Sequence, residues 1–138
     1  MDEADLRERM VKWGRSLFER GFTVGSSGNI SARIGDGFLV TPTNSCLGFL
    51  DAARITKLDA DWTLVSGDAP TKDVPLHRAF YDGRPQTAAV VHLHSTFATA
   101  LSCLADVDPE DAIAPITPYV VMRVGRVPVL PYTMPGSA

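Results

Sequence analysis

Along residues 2–20 the apolar side chains Leu6, Met10, Trp13 and Leu17 recur at spacings of four, three and four. Those spacings put them on one face of a helix. Acidic residues crowd its start and Arg20 closes it, matching the macrodipole, and Gly21 is placed to stop the helix in a left-handed conformation. Residues 22–24 lead into the turn Gly25-Ser26-Ser27-Gly28-Asn29. From Ile30 to Ile34 the pattern changes to alternation, the period of a half-buried strand. Gly35-Asp36-Gly37 turns the chain, and Phe38-Leu39-Val40 returns as the second arm of a hairpin that Thr41-Pro42-Thr43-Asn44 ends. Residues 55–58 and 62–65 predict another strand pair, joined at Asp59-Ala60-Asp61. Residues 75–81 predict a short helix, with Asp73 near its N-cap and Pro75 in its first turn. A buried strand is expected over 88–94, a helix over 95–104, and strands over 120–124 and 127–130. The expected class is mixed α/β built around hairpins, as one domain over residues 1–138.

Composition narrows the partners more than the fold. The chain has 138 residues, 45% of them apolar and 21% charged, which is enough for one hydrophobic core. Thirteen Lys+Arg against sixteen Asp+Glu leave a net charge of −3, so no basic excess exists to neutralise a nucleic-acid backbone. A small anion needs only local donors and stays open as a ligand. No apolar run approaches the ~18 residues of a membrane span. The N-terminus is acidic where a secretory signal would be basic. A cytoplasmic location without membrane or nucleic-acid partners follows as the expectation. Cys46 and Cys103 lie far apart without a CxxC spacing, and read as buried free thiols.

Three groups of residues could carry chemistry. In Val90-Val91-His92-Leu93-His94 the strand period puts both histidines on one face, where two neutral imidazoles can close on one zinc ion. The plain alternative is two histidines with ordinary hydrogen bonds at a strand end. In Thr71-Lys72-Asp73 a carboxylate beside an ammonium at a helix start suits acid/base work or completion of a metal shell, or else Asp73 caps the helix and Lys72 is solvated. His77, on the following helix, reads as a packing or supporting residue rather than a ligand. In Ser26-Ser27-Gly28-Asn29, with Thr41-Pro42-Thr43 after the hairpin, a glycine, amides and hydroxyls could hold phosphate oxygens, or simply form a turn. The Lys-Ser/Thr ending of a Walker loop is absent.

Taken together these groups resemble the class II aldolase/adducin family. The matching segments are Gly28-Asn29-Ile30-Ser31, Thr41-Pro42-Thr43, Ser66-Gly67-Asp68, Pro70-Thr71-Lys72-Asp73, Leu76-His77 with Tyr81, Arg84-Pro85, and Ala89-Val90-Val91-His92-Leu93-His94-Ser95, in family order. The resemblance implies a three-layer α/β/α fold with a largely antiparallel central sheet, and a homotetramer with active sites between subunits. It implies zinc, or another divalent metal such as Mn2+ or Co2+, on His92 and His94. Asp73 would be a further ligand or the acid/base. Phosphate would lie on Gly28, Asn29, Thr43 and Thr71. The family's third metal histidine belongs to a C-terminal Asn-His-Gly segment, which this sequence does not contain; the C-terminal part of the fold is expected to be missing.

Within the family, Pro70-Thr71-Lys72 and the stretch from Thr117 to Gly125 resemble the 3-oxo-tetronate 4-phosphate decarboxylases most. Fuculose-phosphate aldolases carry Ser-Ser-Glu in place of Thr71-Lys72-Asp73, and ribulose-phosphate 4-epimerases carry Ser-Ser-Asp. The implied reaction is loss of CO2 from a phosphorylated sugar acid through a metal-stabilised enediolate, giving dihydroxyacetone phosphate, with Lys72 near the departing carboxylate. Aldol cleavage or epimerisation of a sugar phosphate is the alternative. A catalytically inactive, adducin-like interaction domain is a third.

Overall fold

The computed structural model describes residues 2–134. They form two compact units, residues 2–94 and Ser95–Met134. The first opens with helix α1, Glu3–Glu19, whose N-cap Asp2 accepts a hydrogen bond from the Asp5 amide at 2.8 Å. Gly21 follows its end at φ 74°, as expected of a left-handed stop. The buried face differs from the expected one by one position. Met10 and Gly14 are buried, with Leu6 and Leu17 beside them, while Trp13 is 60% exposed. Close packing decides this: a Cβ on Gly14 would lie 2.7 Å from the Leu47 carbonyl oxygen. Only a residue without a side chain lets the helix approach that 3-10 turn, Leu47–Phe49.

An ion cluster fastens α1 to the next segment. Arg7 donates to the carbonyls of Ala52 and Ile55 at 3.0 and 2.6 Å and pairs with Glu3 at 2.8 Å. Glu3 also takes Lys57 Nζ at 2.6 Å. Lys57 first, then Arg7, hold the Glu3 carboxyl below the usual carboxylate range.

Five strands follow: β1 (Asn29–Ile34), β2 (Gly37–Val40), β3 (Thr56–Leu58), β4 (Leu64–Ser66) and β5 (Ala89–His92). They form one antiparallel sheet in the order β4-β3-β2-β1-β5. Strand alternation sorts the core into two halves. Ile30, Ala32 and Leu39 pack with Met10, Leu47, Leu50 and Ile55 beneath α1. On the other face Phe38, Val40 and Leu58 pack with Tyr81 of helix α2, Val74–Gly83. Phe38 stacks on Trp62 with ring centroids 4.0 Å apart, and Arg33 lies 5.0 Å above both Phe38 and Tyr81. Helices on both faces make three layers. Hence Asn29 to Ala32 are buried on both sides of the sheet, where alternation alone suggested a half-exposed strand. The expected buried strand over 88–94 is shorter, ends at His92, and lies at the edge of the sheet with alternate residues exposed. Trp62 belongs to the β3–β4 turn at φ 65° rather than to a strand. In that turn the Asp59 carboxylate accepts from the amides of Asp61 and Thr63 at 2.9 Å.

The second unit holds α3 (Thr96–Ser102), N-capped by Ser95, and α4 (Pro118–Arg123), N-capped by Thr117. The strand expected over 120–124 is therefore a helix. Thr117 at the cap and Pro118 in the first turn outweigh the β-preference of Val120, Val121 and Val124. The strand expected over 127–130 is also not formed. Val127 and Val129 instead make single backbone bonds with Ala112 and Pro109 at 2.8 and 2.9 Å. Neither cysteine is buried as expected: Cys46 is intermediate and Cys103 exposed, and neither forms a disulfide.

Candidate active site

Two loops meet beside the start of β1. Thr43 N–H donates to the Ala69 carbonyl at 2.9 Å and Thr71 N–H to the Thr41 carbonyl at 3.2 Å, while Pro42 bridges Pro70. Buried Thr41 accepts from the Ile30 amide at 3.1 Å, which ties this loop pair to β1. The preceding turn is closed by the Ser27 hydroxyl on the Val24 carbonyl at 2.6 Å. Gly28 leaves that turn at φ 78°, and a Cβ there would lie 3.0 Å from the His92 carbonyl oxygen and 3.1 Å from Leu93 Cδ2. The close backbone approach expected at Gly28 is thus made to the end of β5.

One open cleft of about 170 Å³ collects nearly every residue singled out from the sequence. Gly28, Asn29, Thr43, Thr71, Lys72, Asp73 and His94 all line it, together with Ser26, Ser27, Pro42 and Asn44. His92 stands next to it, its Nδ1 3.2 Å from Asp73 Oδ2 and its ring centroid 5.0 Å from that of His94. His94 lies past the end of β5, yet the two rings remain side by side.

Asp73 occupies the N-cap position of α2, but its side chain caps nothing. The carboxylate instead accepts Asn29 Nδ2–H at 2.7 Å. Thr71 Oγ1 accepts the Asp73 amide at 3.3 Å, which leaves the hydroxyl hydrogen available for a ligand. Behind Asn29 lies fully buried His77, with Nε2 on Asn29 Oδ1 and Nδ1 2.7 Å from Ser31 Oγ. Ser31 Oγ is in turn 3.0 Å from Tyr81 OH. Burial pushes the His77 pKa down to about 4, the neighbouring His92 adds to this, and Asp73 opposes it. Burial likewise raises the Tyr81 phenol. Ser31 and Tyr81 were not singled out for the site by sequence. Their signal was a polar residue on the inner face of a strand, and His77 and Tyr81 one helical turn apart.

His92 tests whether a metal suits this place. Its Nδ1 is buried and makes no hydrogen bond, because the nearby Asp73 oxygen lies within reach but in poor alignment. Burial lowers its pKa, against the pull of the Asp73 charge, and so favours the neutral ring that binds metals. An orphaned imidazole nitrogen, a second imidazole and a carboxylate are the donor types a divalent cation takes. Among the described residues, no group of three or more His, Cys, Asp or Glu is already arranged to hold one. The expected set of His92, His94 and Asp73 therefore fits a metal by chemistry without forming a closed shell.

Residues 8–138 match the family model described as the class II aldolase and adducin N-terminal domain. The chain belongs to that family, and its fold is the class II aldolase type. It is 54% identical to the 3-oxo-tetronate 4-phosphate decarboxylase of Pectobacterium atrosepticum, over 99% of this chain and 63% of that one. The crystal structure of YgbL from Escherichia coli superposes with a TM-score of 0.93 at 51% identity, covering 98% of this chain and 66% of that one. The L-fuculose phosphate aldolase of Methanocaldococcus jannaschii is 38% identical over 71% of this chain and 54% of its own length. The chain thus spans slightly under two thirds of the decarboxylase it resembles.

Proposed function

We propose that this chain carries the substrate cleft of an enzyme that decarboxylates a 3-oxo-tetronate 4-phosphate to dihydroxyacetone phosphate and CO2. The observation that carries the reading is the cleft itself, in which Thr71-Lys72-Asp73 faces Gly28, Asn29, Thr43 and His94. Likeness to the Pectobacterium decarboxylase over 99% of this chain supports the choice among the family's reactions.

The substrate has a C1 carboxylate, a C2 hydroxyl, a C3 ketone and a C4 phosphate. Gly28, Asn29, Thr43 and Thr71 offer amide and hydroxyl donors for the phosphate, far from the bond that breaks. Binding energy there orients the reacting end. Lys72, the one lysine or arginine among the described residues lining the cleft, would hold the C1 carboxylate so that the C1–C2 bond lines up with the C3 carbonyl. When that bond breaks, its electron pair stays on C2 and spreads to the C3 oxygen. Asp73, once protonated from solvent, would deliver the proton that C2 then needs, and would return to the carboxylate. His92 and His94, with Asp73 nearby, would hold a divalent metal, zinc in the first instance or else Mn2+ or Co2+. Such an ion supplies Lewis-acid charge for the oxygens of the reacting end.

The same reading makes the enzyme cytoplasmic and a homotetramer. Phe97, Ile116 and Tyr119 stand exposed and offer apolar surface for subunits to cover. No helix of the described residues is long and apolar enough to cross a membrane.

Metal-loaded full-length protein incubated with 3-oxo-tetronate 4-phosphate is expected to release CO2 and dihydroxyacetone phosphate. Asp73 in place of a glutamate favours a second reading, a ribulose-phosphate-type epimerase. Turnover of ribulose 5-phosphate without CO2 release would establish it. Protein that binds no metal and turns over neither substrate would instead be an interaction domain.

A further inference from the structure

Behind the cleft lies a line of hydrogen bonds that the proposed reaction does not use: Tyr81, Ser31, His77, Asn29, Asp73. Its polarity can be worked out from the cleft inward. Asp73 Oδ2 accepts, so Asn29 presents its NH2 group to it. The opposite amide orientation would set oxygen against oxygen. Asn29 Oδ1 therefore faces His77 Nε2, and, as it can only accept, Nε2 carries the hydrogen. A ring with one hydrogen has a bare Nδ1, which accepts from Ser31 Oγ. Ser31, having given its hydrogen, accepts from Tyr81 OH. All four bonds run one way.

We infer that His77 is a positioning residue, whose Nε2–H holds the Asn29 amide in the single orientation that aims N–H at Asp73 and into the cleft. The inference deepens the proposed function, since Asp73 and Asn29 are the groups assigned there to proton delivery and phosphate binding. His77 lines no part of the cleft and is fully buried, and its hydrogen bond toward the cleft is the one to Asn29. Losing its donor would leave a buried amide oxygen without a partner and let the Asn29 side chain turn. Asp73 would then lose the hydrogen bond that fixes its carboxylate.

Two variants separate positioning from mere packing. In His77→Gln the side-chain amide can still donate to Asn29; in His77→Leu nothing can. We expect decarboxylation by His77→Gln within about 3-fold of wild type and a fall in kcat of about 100-fold in His77→Leu, the scale of a small misplacement at a reacting centre. Independently of activity, long-range 1H–15N spectra of the full-length protein at pH 7 should show His77 protonated on Nε2 and bare on Nδ1. The Asn29 side-chain NH2 should be protected from exchange in wild type and His77→Gln, and exposed in His77→Leu. A hydrogen on Nδ1, or two folded variants equally impaired, overturns the inference. If neither variant folds, the wild-type spectrum decides. Should wild type release no CO2, the functional reading fails while the tautomer and exchange measurements still judge His77.

Discussion

The α-carbon of Gly28 stands against the carbonyl oxygen of His92, so close that an added methyl carbon would lie 3.0 Å from it. One contact thereby joins the turn that lines the cleft to the strand end that carries the paired imidazoles. Gly28→Ala meets both a crowded neighbour and a positive φ of 78°. It should cost about 1–3 kcal/mol of stability. Bound metal should fall with it, because His92 must shift to admit the methyl group. Urea unfolding and metal analysis on one preparation check this; an unmoved unfolding midpoint means the turn relaxes freely.

Gly14→Ala tests the packing of α1. Its methyl group would lie 2.7 Å from the Leu47 carbonyl oxygen and 3.0 Å from Leu50 Cδ1. Alanine is the better helix former by about 1 kcal/mol, so propensity alone predicts a gain. Overpacking of about 1–3 kcal/mol should outweigh it and lower the melting temperature. A raised melting temperature would show that α1 can move away at no cost.

His77 gives stability a pH dependence. Its folded pKa is about 4, against an unfolded value near 6.5. The unfolded chain therefore takes up the proton more readily between those limits. Stability from keeping this ring neutral is complete above about pH 6.5, declines as the pH falls, and is gone below about pH 4. The difference is on the order of 3 kcal/mol. Glu3, with its carboxyl lowered by Lys57 and Arg7, loses stability in the same direction but only below its ordinary range. Comparing unfolding at pH 7 and pH 5 for wild type and His77→Gln isolates the imidazole. Equal losses in the two proteins would assign the dependence elsewhere.

Lys72→Ala should lower decarboxylation by about 10- to 1,000-fold while metal content stays near that of wild type. Among the described residues lining the cleft, Lys72 is the one lysine or arginine, and it is not among the residues expected to hold the metal. A wild-type rate in this variant removes its role at the carboxylate.

His92→Ala should lower bound divalent metal at least 10-fold in a competition titration. The buried, unpartnered Nδ1 is what the substitution deletes. Unchanged affinity would separate the imidazole pair from any metal.

Much of this architecture was readable from local pattern. The helix over 2–20, the hairpin around Gly35-Asp36-Gly37 and the helix after Asp73 all appear close to their expected places. The loops marked by Gly28, Thr43 and Thr71 do line a single cleft. What pattern could not reveal is how elements far apart in sequence share their polar groups. Asp73 looks like a helix cap, and only the fold shows Asn29, 44 positions earlier, taking its carboxylate. Trp13 obeys the helical period as well as Gly14 does, and the Leu47 carbonyl chooses between them. The helix at Pro118 is legible in the same terms: Thr117-Pro118 is a start signal of the kind that Asp73 and Pro75 make, and it prevails over the strand preference of the valines that follow.

The one-way line from Tyr81 to Asp73 has no loose member. Each inner member, Ser31, His77 and Asn29, gives one hydrogen along the line and takes one, and the accepting carboxylate at its end fixes the direction. Tyr81 is wedged among Phe38, Trp62 and Arg33, and the acidic group at the cleft inherits its aim from that aromatic bed. Repacking the rings would be felt as a change in chemistry at the opposite terminus of the relay.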